Sequence, residues 1–311
     1  MDRLISFSRR MLLGLAAGLA FTISPATISP VGAEADLALH GETLMWRLIP
    51  ADGGAPSYLV GTIHIADDRL RPAIDRGVER LEETGALVVE VDISDAAQLD
   101  VMQAMILSDG RSLPDLIGED QYARLIAIGE AYGMPDFFLR QLAPWGAALM
   151  ISVPAEQMER IMAGAPVLDQ SLVNAAETRR LPVETLETIE EQVAAFAGHP
   201  EADQVTMLGQ ALDMHPQLDG LVEEMLERYL ADDLAKLAAI ALREMETGDA
   251  ALNQRVLDAL IVERNHRMAD RVIPLIEARP HLIAIGALHL PGPEGVLNLL
   301  AQRGWTVEPA E

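Results

Sequence analysis

The stretch 282-LIAIGALHLPGPEG-295 decides how the chain is read. An apolar run, Leu282 to Ile285, ends in Gly286, and a histidine follows at His289. A short continuous apolar run of this kind reads as a strand buried on both faces. The chain writes the same phrase far upstream, in 58-YLVGTIHIADD-68, with Gly61 and His64. A glycine where a buried strand ends lets the backbone turn, or lets another group come close. The histidine beyond it then sits at the rim with an imidazole to offer.

Working outward, 44-LMWRLIPADGGAPSYLVGTIH-64 places two apolar runs around the turn cluster 51-ADGGAP-56, which predicts a β-hairpin. The spacing of Ile74, Val78 and Leu81 predicts a helix from Pro72 to Thr84. Next, 86-ALVVEVD-92 reads as another buried strand with Glu90 near its carboxyl end. At the far end, 281–289 predicts a strand, 293–304 a helix and 305–309 a last strand. Between the two ends, residues 94–278 are mostly helical, with expected helices over 96–107, 119–132, 135–151, 168–180, 187–196, 204–214, 217–244 and 251–278. One short strand is expected inside 181–187. No Pro/Gly/Ser linker divides the chain. The expectation is α/β: residues 34–311 form a single domain whose central mixed sheet is built from N- and C-terminal strand segments, with a large helical insertion over about 94–278. Ligand sites in open α/β sheets lie at the carboxyl ends of strands. If both ends share one sheet, the two Gly-x-x-His phrases meet there.

Composition narrows the function classes. The 311 residues are 50% hydrophobic and only 4% aromatic, so the core is mostly aliphatic. A formal charge of -25 repels nucleic acid and anionic headgroups and attracts cations. Lys236 is the single lysine, and there is no cysteine, which excludes disulfides, a thiolate nucleophile and Cys-ligated zinc. Residues 1–33 have the layout of a secretory signal peptide: Arg3, Arg9 and Arg10, an apolar run from Met11 to Ile23, then small residues up to a cleavage site near Ala33 or Ala35. An uncleaved anchor is the plainer alternative. The string 8-SRRMLLG-14 also resembles a twin-arginine export signal. The expected location is therefore periplasmic or secreted, from a Gram-negative bacterium, with no stable membrane span after signal removal.

His64, His289 and Glu90 together make a two-histidine, one-carboxylate set, which suits a divalent transition metal with open positions for water and substrate. A lone Gly-x-x-His more often marks an ordinary rim residue; repetition at two strand ends is what lifts the pair. Asp92 shares a strand face with Glu90 and reads as a helix cap or a support for the site. Asp67 and Asp68 read as helix-capping or solvated acids rather than ligands. In 263-ERNHRMADR-271, Arg264, Arg267 and Arg271 fall on one helical stripe. Arg264 is the member expected at the site, holding a substrate carboxylate or carbonyl. Arg267, Arg271 and His266 read as surface residues. His40, His199, His215 and His281 show no partner pattern. Residues 217–244 read as a packed pair of acidic amphipathic helices rather than a membrane binder. No P-loop, Gly-x-Ser-x-Gly, His-Glu-x-x-His or dinucleotide fingerprint appears.

The paired Gly-x-x-His phrases, Glu90 in "VVEVD", 143-APW-145, 168-LDQSL-172, 184-ETLET-188 and "ERNHRMADRV" together resemble the TraB/GumN family, which includes the TIKI Wnt-cleaving proteases. The resemblance runs from about Gly41 to Pro309. It implies a metal-dependent hydrolase-like α/β fold related to the erythromycin-esterase and ChaN groups. It also implies manganese- or cobalt-dependent peptide cleavage, with zinc or iron as other metals. It carries His64, His289 and Glu90 into the metal set, and Glu90, Arg264 and Asn265 into the catalytic set. The expected function is a periplasmic metal-dependent hydrolase acting on a peptide or protein, with Glu90 as ligand or general base. Two other readings stand beside it: a metal- or haem-binding protein without turnover, and a polysaccharide-pathway accessory protein. A homodimer is among the expected partners, and the sequence assigns the helical insertion neither to a lid over the site nor to subunit pairing.

Overall fold

The structure is a computed structural model, and it describes residues 36–244 and 249–310. The signal-peptide and twin-arginine expectations lie outside the described residues. Six strands form one mixed sheet: β1 (Met45–Ile49), β2 (Ser57–Thr62), β3 (Leu87–Val89), β4 (Val183–Thr185), β5 (Leu282–Gly286) and β6 (Thr306–Pro309), in the order β4-β3-β5-β2-β1-β6. The predicted hairpin is β1 and β2, antiparallel with Met45 opposite Val60. The C-terminal strand β6 pairs antiparallel with β1. The three central strands, β3, β5 and β2, run parallel. They are apolar almost throughout because both faces are covered: every residue of β2 and β3 is buried.

The chain runs from β2 through the helix Arg71–Thr84 to β3 and leaves a gap between them. Strand β5 fills that gap after the whole helical block has been traversed. Thr62 aligns with Gly286, and Val89 with Ala284, so the carboxyl ends of all three strands finish at one level. Both Gly-x-x-His phrases and Glu90 emerge from this edge.

Two hydrophobic cores result. One is built on the sheet from Trp46, Leu59, Val88, Ile283 and the buried side of the helix Glu263–Ala278, including Met268. The other is all-helical, with Leu125, Leu142, Met150, Leu208 and Val256. The expected helix over 135–151 is two helices, Asp136–Leu139 and Pro144–Ile151, because Pro144 starts a new helix rather than continuing one. Residues 217–244 are a helix pair, Leu218–Leu230 and Leu234–Glu244, broken where Asp232 takes a left-handed φ of 58°. Residues 251–278 contain a π-helical turn, Asp258–Val262, directly before Glu263–Ala278. Helices Leu113–Ile117 and Ala155–Ala163 were not expected from the sequence. No helix among the described residues is long and apolar enough to cross a membrane.

Candidate functional site

The glycines of the two phrases serve close approach, since neither has a positive φ. A Cβ on Gly61 would lie 3.1 Å from the Ala287 Cα and from Leu290 Cδ2. A Cβ on Gly286 would lie 3.1 Å from Glu90 Oε1 and 3.4 Å from His289 Cδ2. Each glycine thus makes room for the other half of the site.

His64, Glu90 and His289 line one cavity together with Thr62, Arg264 and Gly286. Glu90 is pinned from two sides. Its Oε1 accepts the Gly286 backbone N–H, and its Oε2 accepts Arg264 Nη2 at 2.8 Å. Burial works against its charge, but Arg264, His289 and His64 outweigh that and hold its pKa at about 2. Asn265 donates Nδ2 to the Glu294 carbonyl at 2.7 Å, so its Oδ1 faces His289 Nδ1 at 2.6 Å. That oxygen requires the His289 proton to be on Nδ1. Burial, then the Arg264 charge, lowers His289 to about 4, so the ring is neutral near neutral pH. Its Nε2 therefore points a lone pair at Glu90 Oε1, 3.9 Å away. His64 Nδ1 lies 2.9 Å from Asp169 Oδ2. Burial depresses the His64 pKa, but Asp169, with Glu90 behind it, prevails and raises it to about 8.

Whether this set fits a metal follows from the donor atoms. His289 Nε2 and Glu90 Oε1 are two electron-pair donors at close range with no proton between them. The far nitrogen of His289 is held by Asn265 Oδ1, the arrangement that orients histidine ligands, and that of His64 stands in ion-pair range of Asp169. The Thr62 hydroxyl, lining the same cavity, is buried without a hydrogen-bond partner. The chemistry fits a divalent cation. Among the described residues, no group of three His, Asp or Glu side chains already stands close enough to form a finished cage. His289 and Glu90 stand together, and His64 lines the same cavity.

Arg264 and Asn265 both reach the site, each through contacts within the protein. Arg264 is 1% exposed, and all three of its nitrogens are engaged within the protein. Nε and Nη2 donate to Glu187 at 2.9 and 2.7 Å, Nη1 donates to the Leu260 carbonyl, and Nη2 also donates to Glu90. Both ends of the Asn265 amide are likewise taken. These contacts tie Arg264 to Glu90 and Asn265 to His289. Arg267 is not simply a surface residue: it donates to the fully buried Glu187 at 2.8 Å. Arg271 pairs at the surface with Glu191, and His266 at the surface with Glu294. Asp92 caps the turn at Ser94. Asp67 is buried rather than solvated, and accepts from Arg69 and Arg160. His281 is buried against Glu184 at 3.0 Å. The sequence reading assigned no role to Asp169 or Glu187; their only signal was their place in "LDQSL" and "ETLET".

His64 and Glu90 also line a second, larger cavity of about 100 Å³, walled by Val89, Val101, Trp145, Leu149 and Phe196. It lies between the sheet and the helical block.

Comparison with known proteins agrees with this architecture. The chain is 26% identical to metalloprotease TIKI2 of Danio rerio over 86% of its own length and 60% of the relative's. To metalloprotease TIKI1 of Homo sapiens it is 26% identical, covering 82% of this chain and 60% of the relative. It therefore spans about three fifths of the length of these relatives. The uncharacterized protein YbaP of Escherichia coli is 25% identical, covering 85% of this chain and 95% of the relative. The model of the TraB/PrgY/gumN family matches residues 44–309, which hold all six strands and every residue of the site. With a match of that extent, the chain belongs to the TraB/PrgY/gumN family.

Proposed function

We propose that the protein is a periplasmic metal-dependent hydrolase, and specifically a peptidase. The observation that carries this reading is the convergence of His64, Glu90 and His289 at the carboxyl ends of adjacent parallel strands, on one cavity. The TIKI relatives named as metalloproteases support it. His64 Nε2, His289 Nε2 and Glu90 would hold the metal; manganese or cobalt is favoured, with zinc and iron as the other candidates. Such an ion supplies Lewis acidity and brings the pKa of water near neutrality.

The chain's own groups do the rest. Asn265 fixes the His289 tautomer, and Asp169 orients His64. Arg264 and the Gly286 N–H keep Glu90 ionised and still. With its pKa at about 2, Glu90 is a weak proton acceptor, which suits a ligand better than a general base. Thr62 offers the free hydroxyl that a substrate carbonyl needs. Burial of Glu90 and His289 strengthens each of these interactions.

The test is elemental analysis of protein purified without chelator, beside hydrolysis of a quenched-fluorescence peptide library. Near-stoichiometric metal and cleavage, both lost in the His64→Ala/His289→Ala variant, are expected. Wild-type hydrolysis by that variant after metal loading would overturn the reading.

A further inference from the structure

The larger cavity extends away from His289 and Arg264 but shares His64 and Glu90 with the smaller one. Its floor is apolar. Trp145 and Phe196 stack with ring centroids 6.1 Å apart and planes within 20°. Leu149, from the same helix as Trp145, is buried beside them. Val101, Ile189 and Val193 close the sides from two further helices. In a chain that is 4% aromatic, placing two aromatic rings together beside the site concentrates most of the local apolar area in one place. The ionisable groups that line it are three acids, Glu90, Asp92 and Asp169, against one histidine, His64.

We propose that this cavity is the side-chain pocket of the peptidase site: it takes one large apolar side chain, aromatic or long aliphatic, next to the bond being cleaved. This rests on the peptidase reading for the word "cleaved", but not for the pocket itself. The three acids repel Asp or Glu at that position of the substrate. Glycine or alanine would leave the apolar walls uncovered. Burying a large apolar side chain favours it over alanine by roughly 10- to 100-fold in affinity.

The experiment separates the pocket from the chemistry. Octapeptide amides carrying a single Phe, Ala or Asp in a Gly/Ser background are titrated against the full protein and its Trp145→Phe variant, with tryptophan fluorescence as the readout. The same peptides are tested against Val193→Phe, which fills the cavity from a half-buried position; circular dichroism verifies its fold. The Phe peptide is expected to bind at least tenfold tighter than the other two, with a signal that Trp145→Phe removes. Val193→Phe should erase that preference, so that the Phe and Ala peptides bind alike. Equal affinity for all three peptides, or a Phe preference that survives in folded Val193→Phe, overturns the pocket. Cleavage of the peptide library without any apolar preference overturns the pocket but leaves the hydrolase standing. Selective Phe binding with no cleavage under any metal leaves the pocket standing and removes the hydrolase.

Discussion

Replacing Glu187 by Gln tests the buried charge network that positions the site. Glu187 is fully buried and lies between two guanidiniums. It accepts Arg264 through Nε and Nη2 at 2.9 and 2.7 Å, and Arg267 through Nη2 at 2.8 Å. Glu90 and Glu187 together balance Arg264 and Arg267, so the cluster is neutral as built. Glutamine keeps the shape and removes one negative charge, leaving a buried guanidinium excess. Removing one partner of a buried ion pair costs about 3–5 kcal/mol. Domains carry only about 5–15 kcal/mol of stability, so Glu187→Gln should remain folded with a thin margin. With a urea m-value of about 3 kcal/mol/M, the unfolding midpoint falls by about 1–1.7 M. Arg267→Ala is the internal control. That side chain is 28% exposed, and its loss leaves Arg264 on Glu187, so it should cost about 1 kcal/mol. The assay is urea unfolding followed by near- and far-ultraviolet circular dichroism at neutral pH. A Glu187→Gln midpoint no lower than that of Arg267→Ala would refute the idea that Glu187 is the counter-charge on which Arg264 depends.

Three further outcomes are expected. Asn265→Ala frees the His289 ring and should weaken metal affinity by about 10- to 100-fold, measured by competition with a chelating dye; wild-type affinity would contradict the assigned tautomer. Asp169→Asn should drop the His64 pKa of the metal-free protein from about 8 to below its ordinary 6.5, followed by proton NMR of the imidazole. A raised histidine pKa adds stability fully present below pH 6.5 and lost as pH rises through about 8, so the same variant should lose stability at pH 6 and very little at pH 9; equal losses at both would count against the Asp169 contact. Gly61→Ala pushes a Cβ to 3.1 Å from the Ala287 backbone and should cost about 1–3 kcal/mol, seen as a fall in Tm of several degrees together with lower metal occupancy. An unchanged Tm would mean that the ends of β2 and β5 have slack.

The strands were legible because buried parallel strands announce themselves as short apolar runs, and because 51-ADGGAP-56 signals a turn. Those strands placed His64, Glu90 and His289 on one edge before any contact was known. The Arg264 stripe was equally visible, but its orientation was not. Helical spacing shows that Arg264, Arg267 and Arg271 share a face, not that the face meets Glu90, Glu187 and Glu191. Asp169 and Glu187 were silent for a related reason. Each sits at or just before the start of a helix, where an acid is ordinary, and its partner lies far away in sequence. Helix ends failed where local chemistry was overlooked: Pro144 restarting a helix, and Ser112 with Asp115 closing a capping box on the short helix Leu113–Ile117.

The placement of β5 between β2 and β3 has a consequence for how the molecule comes into being. Ser57 and His281, which join the two strands, are 224 residues apart in the chain. While the polypeptide is being made, β2 and β3 wait with an open slot between them, which is filled only when β5 emerges after the helical block. Contacts of such long range close slowly. The helical block has its own core and can condense in the meantime, but the two histidines cannot share one cavity until β5 docks. The metal binding proposed above would thereby be tied to the docking of β5, because a chain in which β5 has not docked lacks the assembled set of His64, Glu90 and His289.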